Sequence, residues 1–215
     1  MPWFYYVASV VVRVVLKFLT RCQVRGMEHI PSQGPLLIVA NHLSLADPPL
    51  LSVSLNRKKV IFMAKEELFR SRVIGYFISS FGAFPVHRGQ LDRQAVRQAY
   101  QVLAEGSALV MFPEGRRSPN SQLRRAFPGS ALVALRSGAP VLPVGIFGTE
   151  KIRGKTWFLH RPRITVNVGH HFYLPPASSR LSKAELAEVS DSIMEHIAEL
   201  LPLEYRGDYG GKETR

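Results

Sequence analysis

The chain has 215 residues, 46% of them hydrophobic and 20% charged, which excludes a disordered polymer and suits one domain with a sizeable core. Its single cysteine, Cys22, excludes an intrachain disulfide and a cysteine-based zinc cluster, and suits a reducing compartment. The formal net charge of +12, from 28 basic and 16 acidic residues, points to an anionic partner: nucleic acid, an anionic bilayer or a phosphorylated substrate.

The first predicted element is the apolar segment from Trp3 to Leu19. Its polar breaks, Ser9, Arg13 and Lys17, are spaced by four and form one narrow stripe on a helix. With ~17 residues against the ~20 of a membrane span, and two charges inside it, the segment is marginal for crossing a bilayer. No basic residue precedes it and no small-residue cleavage site follows, so it does not read as a signal peptide. The favoured reading is a helix lying in a membrane interface. A helix packed on the core and a true span are the alternatives.

Strand and helix signals then alternate. Leu36 to Ala40 and Val60 to Ala64 are short apolar runs that predict buried strands. Residues 92 to 104 predict a helix, with Asp92 as cap, Val96, Ala99 and Leu103 on one face, and Gly106 as the stop. Ala108 to Phe112 predicts a third strand, Ser130 to Arg136 a helix ended by Gly138, and Val141 to Phe147 a fourth strand. The proline inside that strand, Pro143, suggests a sheet edge or a bulge. Ile164 to Val168, with alternating polar residues, predicts an outer strand. Ser182 and Glu185 form a capping box before a last amphipathic helix through Leu186, Val189, Ile193, Ile197 and Leu200. The order implies an α/β fold, a mixed central sheet flanked by helices, with functional groups where strands turn into helices.

Polar motifs stand at those places. Asn41-His42-Leu43-Ser44-Leu45-Ala46-Asp47 follows the first core strand. Five residues rotate a regular helix by ~140° net, so His42 and Asp47 meet only if a turn lies between them. A carboxylate on one imidazole nitrogen holds the tautomer and makes the ring a better base. With no serine or cysteine nucleophile motif nearby, the substrate would bring its own hydroxyl. The plain alternative is local capping by Ser44 and Asp47, or by Asp47 before Pro48. Phe112-Pro113-Glu114-Gly115-Arg116-Arg117-Ser118 follows the third strand. Its glycine and arginines suit close approach to a phosphate, against the alternative of a solvated basic loop. Gly82-Ala83-Phe84-Pro85-Val86-His87-Arg88-Gly89 presents another arginine, and alone reads as a surface turn. Val141-Leu142-Pro143-Val144-Gly145-Ile146 reads as core packing before it reads as an acyl pocket.

Taken in order, NHLSLAD, GAFPVHR, FPEGRRS and VLPVGI resemble the glycerolipid acyltransferase family, whose pattern is NHxxxxD, GxxFxxR, FPEGxRS and a V-x-P-V strand. The match covers about residues 35 to 150. The resemblance implies that His42 is the base and Asp47 its orienting carboxylate, and that Glu114, Gly115 and Arg116 form the phosphate and glycerol site. It implies that Arg88 also contacts the acceptor and that Lys65, before Glu66-Glu67-Leu68, touches the phosphate. Arg117 stands where many members carry a small or polar residue, and Phe127-Pro128-Gly129 lacks a lysine common in the family.

The reaction so implied moves a fatty acyl group from an acyl thioester to the sn-2 hydroxyl of 1-acyl-sn-glycerol-3-phosphate, giving phosphatidic acid. The family also acts on other lysolipids and on glycerol-3-phosphate, which is the nearest alternative. The co-substrate is acyl-CoA or an acyl-carrier-protein thioester, with no metal or other cofactor. The expected partners are the lysophospholipid and an anionic membrane surface, at the cytoplasmic face. Residues 1–25 are expected to be the membrane-associating helix, 26–205 the acyltransferase domain and 206–215 a flexible tail. A nucleic-acid-binding module is disfavoured, because the basic residues are not interleaved with exposed aromatics on one element. A His–Asp metal hydrolase ranks last, since only one His–Asp pair has useful spacing.

Overall fold

The computed structural model describes residues 3–55, 57, 60–87, 92–175 and 181–211, with side chains from Val7 onwards. The chain runs α1 (Trp3–Leu19), β1 (Arg21–Arg25), β2 (Leu36–Ala40), α2 (Asp47–Ser54), β3 (Val60–Lys65), α3 (Arg72–Ser80), β4 (Ala83–Val86), α4 (Arg93–Ala104), β5 (Ala108–Met111), α5 (Gly129–Ser137), β6 (Val141–Phe147), β7 (Arg163–Val168) and α6 (Lys183–Glu199). The seven strands form one sheet in the order β1-β7-β6-β2-β5-β3-β4. Every neighbouring pair is parallel except β6 and β7, so the sheet is mixed, as expected.

The central strand shows why a continuous apolar run is needed there. Leu37 and Val39 pack into a core with α4, α5 and α6, while Leu36, Ile38 and Ala40 pack into a second core with Leu50 and Leu51 of α2. A strand covered on both faces has no polar side. Local signals close the helices. The Asp92 carboxylate accepts from the N–H groups of Gln94 and Ala95, at 3.0 Å each. Ser182 and Glu185 form the reciprocal capping box. Gly106 and Gly138 follow α4 and α5 with φ of 70° and 62°, a conformation that suits glycine.

Four expectations are corrected. The first helix stops at Leu19, and Arg21–Arg25, assigned with it to the N-terminal segment, is a sheet strand. β7 is therefore not outermost, because β1 pairs beside it. GAFPVHR is not a plain surface turn: Ala83–Val86 is the opposite edge strand, where Pro85 is tolerated because no strand lies beyond it. Residues 206–211 are packed, with the Tyr209 hydroxyl donating to Asp191 at 3.0 Å and the 3₁₀ turn Gly207–Tyr209 against Leu123; residues 212–215 lie outside the described residues. Pro143 answers its own question. β6 is interior, so the edge reading fails, but Val144 pairs with Val168 while Val141 bridges to Phe172, which leaves one extra residue on the far side of Pro143. The bulge thus lies in residues 169–171, and the proline sits opposite it.

α1 takes part in two environments. Ala8 and Ser9 are buried, while Val7, Val10, Val11, Val14 and Phe18 are exposed together with Arg13 and Lys17. Ser9 thus leaves the expected polar stripe and faces the protein. Among the described residues, no helix is long and apolar enough to cross a membrane.

Register decides what lies at each edge of the sheet. The C-terminal ends of β2, β3, β5 and β6 share one edge. β7 and β1 run the other way, with Arg21 opposite Arg163, so the C-terminal end of α1 reaches that same edge. Arg161 donates there to the Lys17 carbonyl at 3.5 Å.

Candidate active site

β2 ends in Asn41 and His42, and both side chains are almost wholly buried. The Asn41 amide spans to β6 twice: Nδ2 donates to the Ile146 carbonyl and Oδ1 accepts from the Ile146 N–H, each at 2.7 Å. The chain then turns before α2, whose first residue is Asp47 and whose next two are prolines. The N–H groups in the first turn of a helix have no acceptor within the helix, so proline, which lacks an N–H, loses nothing there. The Asp47 carboxylate therefore reaches back. Its Oδ2 accepts from the N–H groups of Leu43 and Ser44, at 2.7 and 2.8 Å, and bonds His42 Nδ1 at 2.8 Å. The capping alternative is not met, because Ala46 is the cap residue of α2 and no side chain caps that helix; the one oxygen instead closes the turn before the helix and holds the ring, the contact that the catalytic reading requires. Since the carboxylate oxygen accepts, Nδ1 carries the proton and Nε2 is left as the basic nitrogen.

The FPEGRRS loop, which follows β5, grips His42 from the other side. The Glu114 carboxylate accepts from the His42 N–H at 3.0 Å. The Ser118 N–H donates to the His42 carbonyl at 2.8 Å. The Phe112 ring stacks on the imidazole, with centroids 4.2 Å apart and planes at 20°. Gly115 has a φ of 66°, and a Cβ there would lie 2.8 Å from the Phe127 ring, so the turn demands glycine. Burial pushes the Glu114 carboxyl up to about 7, against the opposing pull of the backbone N–H groups of His42 and Arg124 and of the Arg124 charge.

Glu114 and Arg116 also line a groove of about 790 Å³. Asn120, Gln122, Arg124, Arg125 and Phe127 line it too, and Leu203, Gly207 and Asp208 close it from the C-terminal segment. Arg124 and Arg125 were not singled out in the sequence. The signal was present: two basic residues stand just before Phe127-Pro128-Gly129, where the family's lysine is lacking. They bring positive charge to the same loop from a slightly earlier position. Asn41, Phe112 and Ser118 were quoted within motifs, but their partners come from other strands and loops and could not be read there.

The remaining candidates are less closely joined. Lys65 ion-pairs with Glu67 at 2.9 Å, both half-exposed, and does not line the groove. Arg88 lies outside the described residues. His87, just before it, is anchored: its N–H donates to Asp92 at 2.9 Å, and its ring pairs with Asp92 and Glu66.

Chemically, the arrangement offers one oriented basic imidazole, a neighbouring carboxyl at neutral pH and a groove rich in guanidinium groups. Residues 21–147, more than half of the chain, match the family described as acyltransferase. The chain is 27% identical over 203 residues to the 1-acyl-sn-glycerol-3-phosphate acyltransferase of Streptococcus pneumoniae, covering 94% of this chain and 71% of that one. It is 27% identical over 189 residues to the protein of the same name from Bacillus subtilis, covering 87% and 92%. Among solved structures, the 1-acyl-sn-glycerophosphate (LPA) acyltransferase PlsC of Thermotoga maritima superposes with a TM-score of 0.64 at 23% identity, covering all of this chain and 86% of that one, which establishes the shared fold. With His42, Asp47 and the FPEGRRS loop gathered at one sheet edge and the family match spanning all four motifs, the chain belongs to the acyltransferase family.

Proposed function

We propose that the protein transfers a fatty acyl group from an acyl thioester to the sn-2 hydroxyl of 1-acyl-sn-glycerol-3-phosphate, giving phosphatidic acid for phospholipid synthesis. The observation that carries this reading is His42, held at Nδ1 by Asp47 and at both backbone groups by the FPEGRRS loop. His42 Nε2 accepts the proton of the acceptor hydroxyl as its oxygen attacks the thioester carbonyl carbon. Asp47 stabilises the imidazolium so formed. When the carbon–sulfur bond of the tetrahedral intermediate breaks, the imidazolium returns the proton to the thiolate. The proton count closes without a covalent enzyme intermediate. General base assistance is worth about 10²–10⁴-fold, and the rest comes largely from holding two substrates in reacting geometry.

Arg116, helped by Arg124 and Arg125, clamps the acceptor phosphate, and Arg88 supplements it from the GAFPVHR loop. Glu114 faces the acceptor's glycerol. Lys65 acts at most as a distant positive charge, given its pairing with Glu67. The donor is acyl-CoA or an acyl carrier protein, and no metal takes part. The enzyme works at the cytoplasmic face of an anionic membrane, where the valines and Phe18 of α1 enter the interface and Arg13 and Lys17 meet headgroups.

An acyl-transfer assay of purified protein against a panel of lysolipids and glycerol-3-phosphate, read by mass spectrometry, tests the reaction. Preference for 1-acyl-sn-glycerol-3-phosphate supports it, and preference for another acceptor overturns the substrate assignment. Deleting residues 1–20 should reduce activity on bilayer-embedded acceptor far more than on a short-chain, water-soluble analogue. Equal loss on both would mark α1 as a helix needed only for folding.

A further inference from the structure

α3 is an unusual surface helix. Its sequence is Arg-Val-Ile-Gly-Tyr-Phe-Ile-Ser-Ser, yet among its residues only Gly75 is fully buried. Val73 is 79% exposed and Tyr76 61%, with Ile74 and Phe77 close behind. A contiguous apolar patch of this kind is disfavoured in water and marks a surface that something covers. Three further observations say what covers it. First, α3 and α1 meet: Ala8 and Val12 of α1 form one small cluster with Phe81, the residue that ends α3. Second, exposed basic residues flank the apolar ones on both helices, with Arg70 and Arg72 at the start of α3 and Arg13 and Lys17 on α1. The nearby carboxylates are engaged, Glu66 with His87 and Glu67 with Lys65. Third, α3 is reached from the C-terminal end of β3, the edge of the sheet that carries His42. At that edge Leu45, inside the NHLSLAD turn, is 67% exposed.

We infer that α3 is a second membrane-inserting element, which enters the same anionic leaflet as α1 through Val73, Ile74, Tyr76 and Phe77. The inference rests on the α1 reading above and extends it. The apolar side chains enter the acyl region while Arg70 and Arg72 remain among lipid phosphates, and Tyr76 suits the boundary between the two. Two joined helices also define an orientation, which one helix lying in the interface does not. They set the His42 edge at the lipid surface, where an acceptor keeps its acyl chain in the bilayer and presents its headgroup to the enzyme. A second copy of the chain is the competing occupant. It is disfavoured because the carboxylates of this face, Glu66 and Glu67, are already paired with His87 and Lys65, so a second copy brings no free negative charge for Arg70 and Arg72, whereas lipid phosphates do.

The test is co-sedimentation of the full chain with phosphatidylcholine vesicles containing phosphatidylglycerol, for wild type and for Val73→Glu/Phe77→Glu. Burial of two such side chains predicts at least a tenfold loss of vesicle binding, roughly, in the variant. Activity on vesicle-borne acceptor should fall with it, while kinetics on a short-chain soluble acceptor stay unchanged. Val73→Ser/Phe77→Ser, polar but uncharged, should show a smaller loss in the same direction and serves if the glutamates impair folding. Unchanged vesicle binding in both variants overturns the inference. So does a wild-type dimer that the variants dissolve without any change in vesicle binding. The 1–20 deletion separates the two levels: if it abolishes binding while the α3 variants bind as wild type, α1 stands as the membrane element and α3 does not.

Discussion

His42 and Arg116 follow neighbouring parallel strands, β2 and β5, and leave the same edge of the sheet, yet they are held in opposite ways. His42 is 5% exposed and is bonded at its N–H, its carbonyl and its ring Nδ1, with Phe112 stacked on one face. Arg116 is exposed in an open groove that it shares with Arg124 and Arg125. The difference matches the roles proposed for each. Proton transfer needs the base within tenths of an ångström of its target, so the base is built into a buried network of mutually dependent bonds. Attraction of a phosphate falls off slowly with distance, so a phosphate site can be served by several exposed charges sharing one groove.

The largest effects should come from the fixed half. His42→Ala is expected to lower kcat by about 10²–10⁴-fold with the melting temperature preserved, in kinetics paired with thermal unfolding. Asp47→Asn should lose almost as much, because an amide cannot hold the productive tautomer. Near-normal turnover by His42→Ala would falsify the assignment of the base and remove the contrast.

Glu114 comes next. Glu114→Ala leaves the buried His42 N–H without its acceptor, which should cost about 1–3 kcal/mol in denaturant unfolding. Glu114→Gln keeps an oxygen there and should recover most of that stability. If the two variants are equally stable, the bond to His42 is not what orders the second loop.

In the distributed half, Arg116→Ala should raise the acceptor KM by roughly tenfold with little change in kcat, since the lost charge-assisted bond is present before and during reaction. Arg116→Lys should restore only part, because a point charge lacks the planar fork. Arg124→Ala and Arg125→Ala should each do less, and added salt should shrink all three effects. A raised donor KM with the acceptor's unchanged would move the groove to the other substrate.

The smallest effect is a pH slope. The Glu114 carboxyl titrates at about 7 in the folded protein against 4.5 ordinarily. Between those values the folded state binds more protons than the unfolded chain, so its contribution to stability falls as pH rises from 4.5 to 7 and is level above. Glu114→Gln should flatten that segment of the stability–pH curve relative to wild type. An identical slope in both proteins would mean that the carboxyl titrates normally.

Much of this site was readable from residues alone, and what was not has a physical reason. The His42–Asp47 contact spans five residues and one turn, so the motif carries nearly all its own geometry. Lys65 is paired with a glutamate two residues on, a neighbour already visible in the sequence Lys65-Glu66-Glu67. Arg124 and Arg125 fall in no motif; the adjacent pair signals local charge, and only the fold brings that charge to the groove of Glu114. α3 passed unnoticed because a nine-residue apolar helix looks like any short buried segment until its exposure is seen.

The sequence by itself determined the apolar runs that become β2, β3, β5 and β6, the caps of α4 and α6, and the ordered motifs that name the family, because each of these depends on residues within one or two turns of each other. Only the tertiary structure decided that β1 extends the sheet beyond β7, that Pro143 lies opposite a bulge, and that residues 207 and 208 wall the groove. It also decided that Glu114 lies against the N–H of a histidine 72 residues earlier. Strand order and long-range contacts are selected by the summed burial of many side chains against partners far along the chain, and no short stretch of sequence contains that sum.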